Sequence, residues 1–492
     1  MIGDQKETQI WASKHFNGAK LTDLRRVKRL VKIAQAMASD PGKSIPKLFT
    51  HPYDIKATYT LFRNQKMRPD NVQAGHREIT KEEISNPGVY LLPEDTTEMA
   101  WVERHKIEGM GAVGKGNYKN QGFHLHSVLA LKWPGLDKIK AAETETETET
   151  ETENRRPPVE LIGLLDQQYY VRKRKRERKS KKPHYAASRK GEASESQLWE
   201  QAGQRIGAAP QQENVAWIRV CDRGADIYEM MQSCRGLNHE YIIRASSNRT
   251  LVDSGLGAGL LFDKVRAIPS RGEFAIKLRT RYKQAARKAH LAVSVLKVLL
   301  QAPQRKGHRA GKLPPISCTA VRVWEIKPPD NVEPLEWILL CSKQIESFEQ
   351  ALEAALQYST RWLIEEYHKA LKTGLGAEKL QLERAEGIFA AISIMSIVAL
   401  RLIDLREQVR IAPDALAEKA GLDELELEVL RIKLGKPINT VKDVALAIGR
   451  LGGHLNRKSD GMPGWQTLWH GMVKLLNLVE GVRLARELQS FG

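Results

Sequence analysis

Near residue 86 the hydrophobic period of the chain changes, and that change limits the folds open to it. Before that point apolar residues recur at helical spacing. Leu21, Leu24, Val27, Leu30, Val31 and Ala34 form one stripe, while Arg25, Arg26, Lys28, Arg29 and Lys32 crowd the remaining surface. After it, apolar residues fall into short runs at 89–92, 126–131, 161–171, 215–221 and 240–244. These read as strands, and residues 225–232, between the last two, read as a helix. Strands followed by alternating helix and strand predict a mixed α/β sheet.

Two stretches interrupt this sheet. Residues 143–153 are a strict Glu-Thr repeat, a solvated extension between the second and third strands. Residues 172–182 are a dense basic run broken by Glu177 and Ser180, suited either to gripping phosphates or to neutralising the acidic repeat. Short β-like runs at 274–278, 291–300, 320–326 and 337–340 predict a β-rich insertion. Residues 422–434, 441–451 and 465–488 are amphipathic helix candidates that either complete the core or pair with another chain. The divisions expected are a helical module at 1–75, a sheet domain at 76–250 with inserts at 143–185, a β insertion at 251–345, a return to the sheet domain at 346–408, and a helical module at 409–492.

A net charge of +19 points to a polyanionic partner, with nucleic acid first. The basic face of the first helices is then a DNA reader; the plainer reading is a solvated charged surface. Cys221, Cys234, Cys318 and Cys341 form no C-x-x-C pair, which excludes a zinc knuckle and fits reduced thiols in the cytoplasm. The polar N-terminus has no signal-peptide core. The apolar stretch at 387–400 is short for a membrane span and reads as a buried helix. Residues 109–116 resemble a phosphate-binding P-loop, but Gly116 stands where the metal-binding hydroxyl belongs, so a hairpin loop without ATP is expected.

Asp95 and Asp222 each closely follow an apolar strand, where open α/β sheets place reactive groups. Tyr358, Arg361, Glu365, Lys369 and Lys372 recur at helical spacing, so one face of one helix is expected to carry all five. Three carboxylates from two strand ends and a helix suit a pair of Mg²⁺ ions, which prefer hard oxygen ligands. Singly, each acid has a bland role: a turn residue, a helix cap, or an i,i+4 salt-bridge partner.

Three blocks narrow the choice. They are Leu-Leu-Pro-Glu-Asp-Thr-Thr at 91–97, Val-Cys-Asp-Arg-Gly-Ala-Asp-Ile at 220–227, and Tyr-Ser-Thr-Arg-Trp-Leu-Ile-Glu-Glu-Tyr-His-Lys-Ala-Leu-Lys-Thr-Gly at 358–374. They resemble the catalytic blocks of the DDE transposases of the Tn-five type, within the insertion-sequence-four family. The third block carries that group's Tyr-Arg-Glu-Lys signature at Tyr358, Arg361, Glu365 and Lys372. The resemblance extends to Asp23-Leu24-Arg25-Arg26 near one end and Gly464-Trp465-Gln466-Thr467-Leu468-Trp469 near the other. One departure is Pro93, expected to break the strand just before Asp95.

The resemblance implies an RNase H-like core with Asp95, Asp222 and Glu365 as catalytic metal ligands, two Mg²⁺ ions per site, and Mn²⁺ as a substitute. It implies DNA contacts by Tyr358, Arg361, Lys372 and Arg244 and a flipped base stacked on Trp337; Lys369 and His368 on the same helix are expected to assist, and Arg25, Arg26 and Arg29 belong to the basic face expected to read DNA. The implied partners are transposon ends, target DNA and a second copy of the chain paired through its C-terminal helices. The implied setting is the bacterial cytoplasm, at the nucleoid. The implied activity is excision of a mobile element through a DNA hairpin and joining of its 3′-ends to target DNA. Two other classes stay open: an idle transposase-derived DNA-binding regulator, and a structure-selective nuclease on the same fold.

Overall fold

The computed structural model describes residues 5–102, 106–114, 120–144, 157–172, 195–253, 259–278, 287–303, 313–457 and 460–490. Beyond Thr144 the Glu-Thr repeat lies outside these residues, as does the basic run after Arg172 and the end of the P-loop-like segment.

Among the described residues, twelve strands form one sheet. The first part supplies β1 (Gly88–Trp101), β2 (Gly111–Ala112), β3 (Gln121–Trp133), β4 (Glu160–Tyr170), β5 (Val215–Cys221) and β6 (Glu240–Arg244). The insertion supplies β7 (Thr250–Leu251), β8 (Gly259–Leu260), β9 (Gly272–Leu278), β10 (Arg287–Leu300), β11 (Ile316–Ile326) and β12 (Glu336–Cys341). β4, β3 and β1 run antiparallel, and β5 and β6 run parallel to β1. That order is the RNase H-like one. β12 then adds antiparallel to β6, so the insertion lengthens the central sheet instead of forming a separate one.

β1 continues through Pro93 into the polar stretch that holds Asp95, contrary to the expected break. Pro93 faces Val220 across the parallel pair, and pairing with β3 resumes in the same register, from Leu91↔Leu131 to Glu94↔Val128. The missing N–H costs a local ladder contact but not the strand.

The expected single helix over Tyr358–Lys372 is broken. One helix, Phe348–Ser359, ends at Thr360; a second, Trp362–Lys369, follows and runs into a π turn at Ala370–Gly374. Ser359 and Thr360 donate their hydroxyls to the carbonyls of Leu356 (2.6 Å) and Gln357 (2.7 Å), an alternative to the helical ladder that favours a bend.

The helix Ala385–Ile411 has the length and apolarity of a membrane span, yet 89% of its most apolar window is buried inside the protein. It is the central strut of the largest core cluster, with Ile388, Ile392, Ile397 and Ile403 all buried. Helices Leu24–Ser39 and Pro52–Phe62 contact it from the N-terminal side, and Val441–Leu451 and Trp465–Ser490 from the C-terminal side.

Candidate active site

Register sets the site. Glu94 and Cys221 are the last partners of the parallel pair β1–β5. The next residue on each strand is an aspartate, so Asp95 and Asp222 stand side by side where the strands part. Asp222 leaves the sheet as the cap of a short 3₁₀ turn, Arg223–Ala225, accepting the Gly224 N–H at 2.7 Å. Asp95 accepts its neighbour Thr96 N–H at 2.7 Å. Glu365 approaches from the helix Trp362–Lys369. Arg361 ion-pairs with Glu365 and lies 3.7 Å from Asp95.

These charges act on one another. Burial first, and the Asp222 charge next, push the Asp95 carboxyl up to about 6; Glu365 adds to the rise, while the Thr96 N–H and Arg361 oppose it. Crowded carboxylates of this kind call for a cation. Among the described residues no three acidic, His or Cys side chains gather closely enough to ligate one ion directly. The donor set still fits magnesium, which takes one or two carboxylates and completes its shell with water and substrate phosphate.

The neighbours expected to touch DNA divide into groups. Tyr358 packs edge-on against Trp337, with ring centroids 5.4 Å apart at 61°. Burial raises the Tyr358 phenol pKa, against the pull of Arg361 and Arg244. Arg244 closes β6 and donates to the Glu336 carbonyl at 2.9 Å; Tyr358 feels the charges of both Arg244 and Asp222. Lys369 is exposed on the helix surface. Lys372 turns toward the far half of β1, donating to the Glu98 carbonyl at 2.6 Å and lying 3.3 Å from Glu378.

His368 does not occupy the expected DNA-facing position. It is 5% exposed, burial holds its pKa down to about 3, and its Nε2 lies 3.2 Å from the Ser127 hydroxyl. Ser127 is the cross-strand partner of Asp95, so His368 ties the Glu365 helix to the sheet from within. In the N-terminal module Arg25 is 92% exposed, and Arg26 donates to the Leu21 carbonyl at 3.3 Å. Arg29 pairs with Asp54 and covers the Tyr53 ring at 5.4 Å, so its charge is partly spent inside the protein. Sequence reasoning missed Glu378 and Glu98, because contacts across some 280 residues leave no local pattern.

An RNase H-like sheet that sets two aspartates at the parting of parallel strands, facing a helix glutamate, defines a DDE-type nuclease and strand transferase. Three family models match this chain: transposase DNA-binding over residues 8–67, transposase DDE domain over 172–401, and transposase Tn5 dimerisation domain over 398–492. The chain belongs to the Tn5-type DDE transposases. It therefore binds DNA, forms dimers and depends on a divalent metal. The DDE match begins at residue 172, after Asp95, whose place beside Asp222 rests on strand register alone.

Proposed function

We propose that this transposase cuts its own mobile element from donor DNA and joins it to target DNA. Asp95, Asp222 and Glu365 hold two Mg²⁺ ions, with Mn²⁺ able to substitute. When bound, the ions activate the attacking oxygen and neutralise the leaving one. Water attacks the phosphodiester at the transposon end, and the freed 3′-hydroxyl attacks the opposite strand to close a hairpin. A second water opens the hairpin, and the 3′-end then attacks target DNA. Each step is a phosphoryl transfer, so one site serves all four and ATP has no part.

The chain's own residues position the DNA. Arg361 moves from Glu365 to a phosphate at the cleaved end, with Lys369 and Lys372 nearby. Trp337 stacks a base flipped out at the hairpin, and Tyr358 and Arg244 hold the adjoining backbone. Arg25 and Arg26 dock the terminal repeat. Each subunit of the dimer binds one end and cleaves the other, in the cytoplasm at the nucleoid.

The observation that carries this reading is the Asp95–Asp222 adjacency opposite Glu365. Incubating the flanking inverted repeats with protein and Mg²⁺ tests it. Nicked, hairpin and joined products are expected, and all three vanish in Asp95→Ala, Asp222→Ala and Glu365→Ala. End binding without cleavage by the unaltered protein supports the regulator instead, and cleavage without joining of pre-cut ends supports the nuclease.

A further inference from the structure

Behind the two aspartates lies a buried polar relay that the proposed chemistry does not use. In a strand, neighbours of a residue point to the opposite face, so Glu94 and Thr96 turn away from the carboxylate between them. Both meet one side chain. His126, opposite Thr96 on β3, has its Nε2 2.8 Å from Glu94 Oε1 and its Nδ1 2.6 Å from Thr96 Oγ1. The ring and the Glu94 carboxylate are fully buried. With Nε2 donating to the carboxylate, that tautomer leaves Nδ1 to accept the Thr96 hydroxyl.

The relay continues to the second aspartate. The other Glu94 oxygen accepts Arg219 Nε at 2.8 Å, and Arg219 lies on β5 three residues before Asp222. Arg219 also donates to the Trp199 carbonyl at 2.6 Å, and the Trp199 ring stands edge-on to His126 with centroids 4.8 Å apart. Thr96, His126, Glu94 and Arg219 thus join β3, β1 and β5 beneath the point where Asp95 and Asp222 meet. A hydrophobic back face would pack the strands equally well; this one also fixes their rotation, because each bond has a direction.

We propose that His126 is a positioning residue for the Asp95 carboxylate, bracketing it through Glu94 and Thr96. The inference rests on Asp95 being a metal ligand. Without the bracket the strand can twist, and the carboxylate, pressed by Asp222, can turn away from the ion. Partners of this kind change metal affinity or activity by about 10–100-fold in other sites.

The test uses the full chain and the pair Thr96→Val and Thr96→Ser. Valine keeps the shape and loses the hydroxyl; serine keeps the hydroxyl. Three quantities are read: Mn²⁺ binding to the DNA-free protein by calorimetry, the first-strand cleavage rate against Mg²⁺, and affinity for the terminal repeat without divalent ion. For Thr96→Val, Mn²⁺ binding and cleavage are each expected to fall about 10-fold. Thr96→Ser restores both, and repeat affinity stays unchanged in either variant. His126→Ala is expected to show a larger loss of the same kind; if it does not fold, the threonine pair decides. Valine and serine variants that bind Mn²⁺ and cleave alike overturn the inference, as does repeat affinity falling in step with cleavage. Asp95→Asn separates the two claims: if it still cleaves, the metal-ligand reading fails; if it is inactive while Thr96→Val is unimpaired, only the bracket fails.

Discussion

Arg361 and Glu365 are ion-paired one helical turn apart, and the guanidinium reaches past Glu365 toward Asp95. A cation of the protein thus stands among the carboxylates proposed to hold the divalent ions. Arg361→Ala is expected to tighten Mn²⁺ binding to the DNA-free protein, because the internal competitor is gone. The same change is expected to slow cleavage of paired ends about 100-fold or more, since the proposed phosphate contact would be lost. Calorimetry without DNA and cleavage with it read the two opposite effects.

The Asp95 carboxyl gives a signed pH dependence. Its pKa is raised to about 6, so the folded protein keeps a proton that the unfolded chain releases near pH 4. Stability therefore falls as pH rises from about 4 to about 6, and stays lower above that window, by up to about 3 kcal/mol. Asp95→Asn should raise the melting temperature of the metal-free protein at pH 7.5 (a value chosen as roughly one unit or more above that window) and leave it unchanged near pH 4. Added Mg²⁺ should narrow the gap at the higher pH. A variant no more stable than the parent at neutral pH would show that the Asp95 charge is not strained.

Trp337 packs edge-on against Tyr358, and if it stacks the flipped base as proposed, its loss should be specific to one stage. Trp337→Ala is expected to slow hairpin closure by about 10–100-fold, the equivalent of about 1–3 kcal/mol of lost base stacking. First-strand nicking should change little. Trp337→Phe should recover most of the rate. Gel separation of nicked and hairpin products, timed from Mg²⁺ addition, distinguishes the stages.

Lys369 and Lys372 should part company. Lys369 is exposed, so Lys369→Ala should weaken DNA binding at every sequence and lower the salt slope of log K by about 0.9. Lys372 is held by the Glu98 carbonyl and Glu378. Lys372→Ala should in addition lower the melting temperature, as it leaves the half-buried Glu378 with one partner fewer.

The parts of this molecule legible in the sequence are those with a local pattern. The strand at 215–221 is found to the residue, because it is a buried apolar run closed by a capping aspartate. The helix 441–451 is found as well, from its apolar stripe. β1 is under-read because its second half, Asp95 to Trp101, is mostly polar: it passes through the site and its partner there is β3 alone. The bend at Thr360 is missed because spacing arguments count residues and not hydroxyls that compete for carbonyls. Of the site, Arg361–Glu365 is visible as an i,i+4 pair. The Glu94–Arg219 bond, across 125 residues, has no signature short of the fold itself.

The helix Ala385–Ile411 has a consequence for how such proteins can be recombined. The DDE and dimerisation matches meet at residues 398–401, in the middle of this one buried helix. Past that seam, Arg406 holds Glu366, the residue beside Glu365, through a 2.7 Å bond. A splice made where the two matches meet would cut a core strut and separate the Glu365 helix from its brace. Grafts between relatives should work only when the whole helix travels with one parent, so the unit of inheritance here is larger than the unit of sequence likeness.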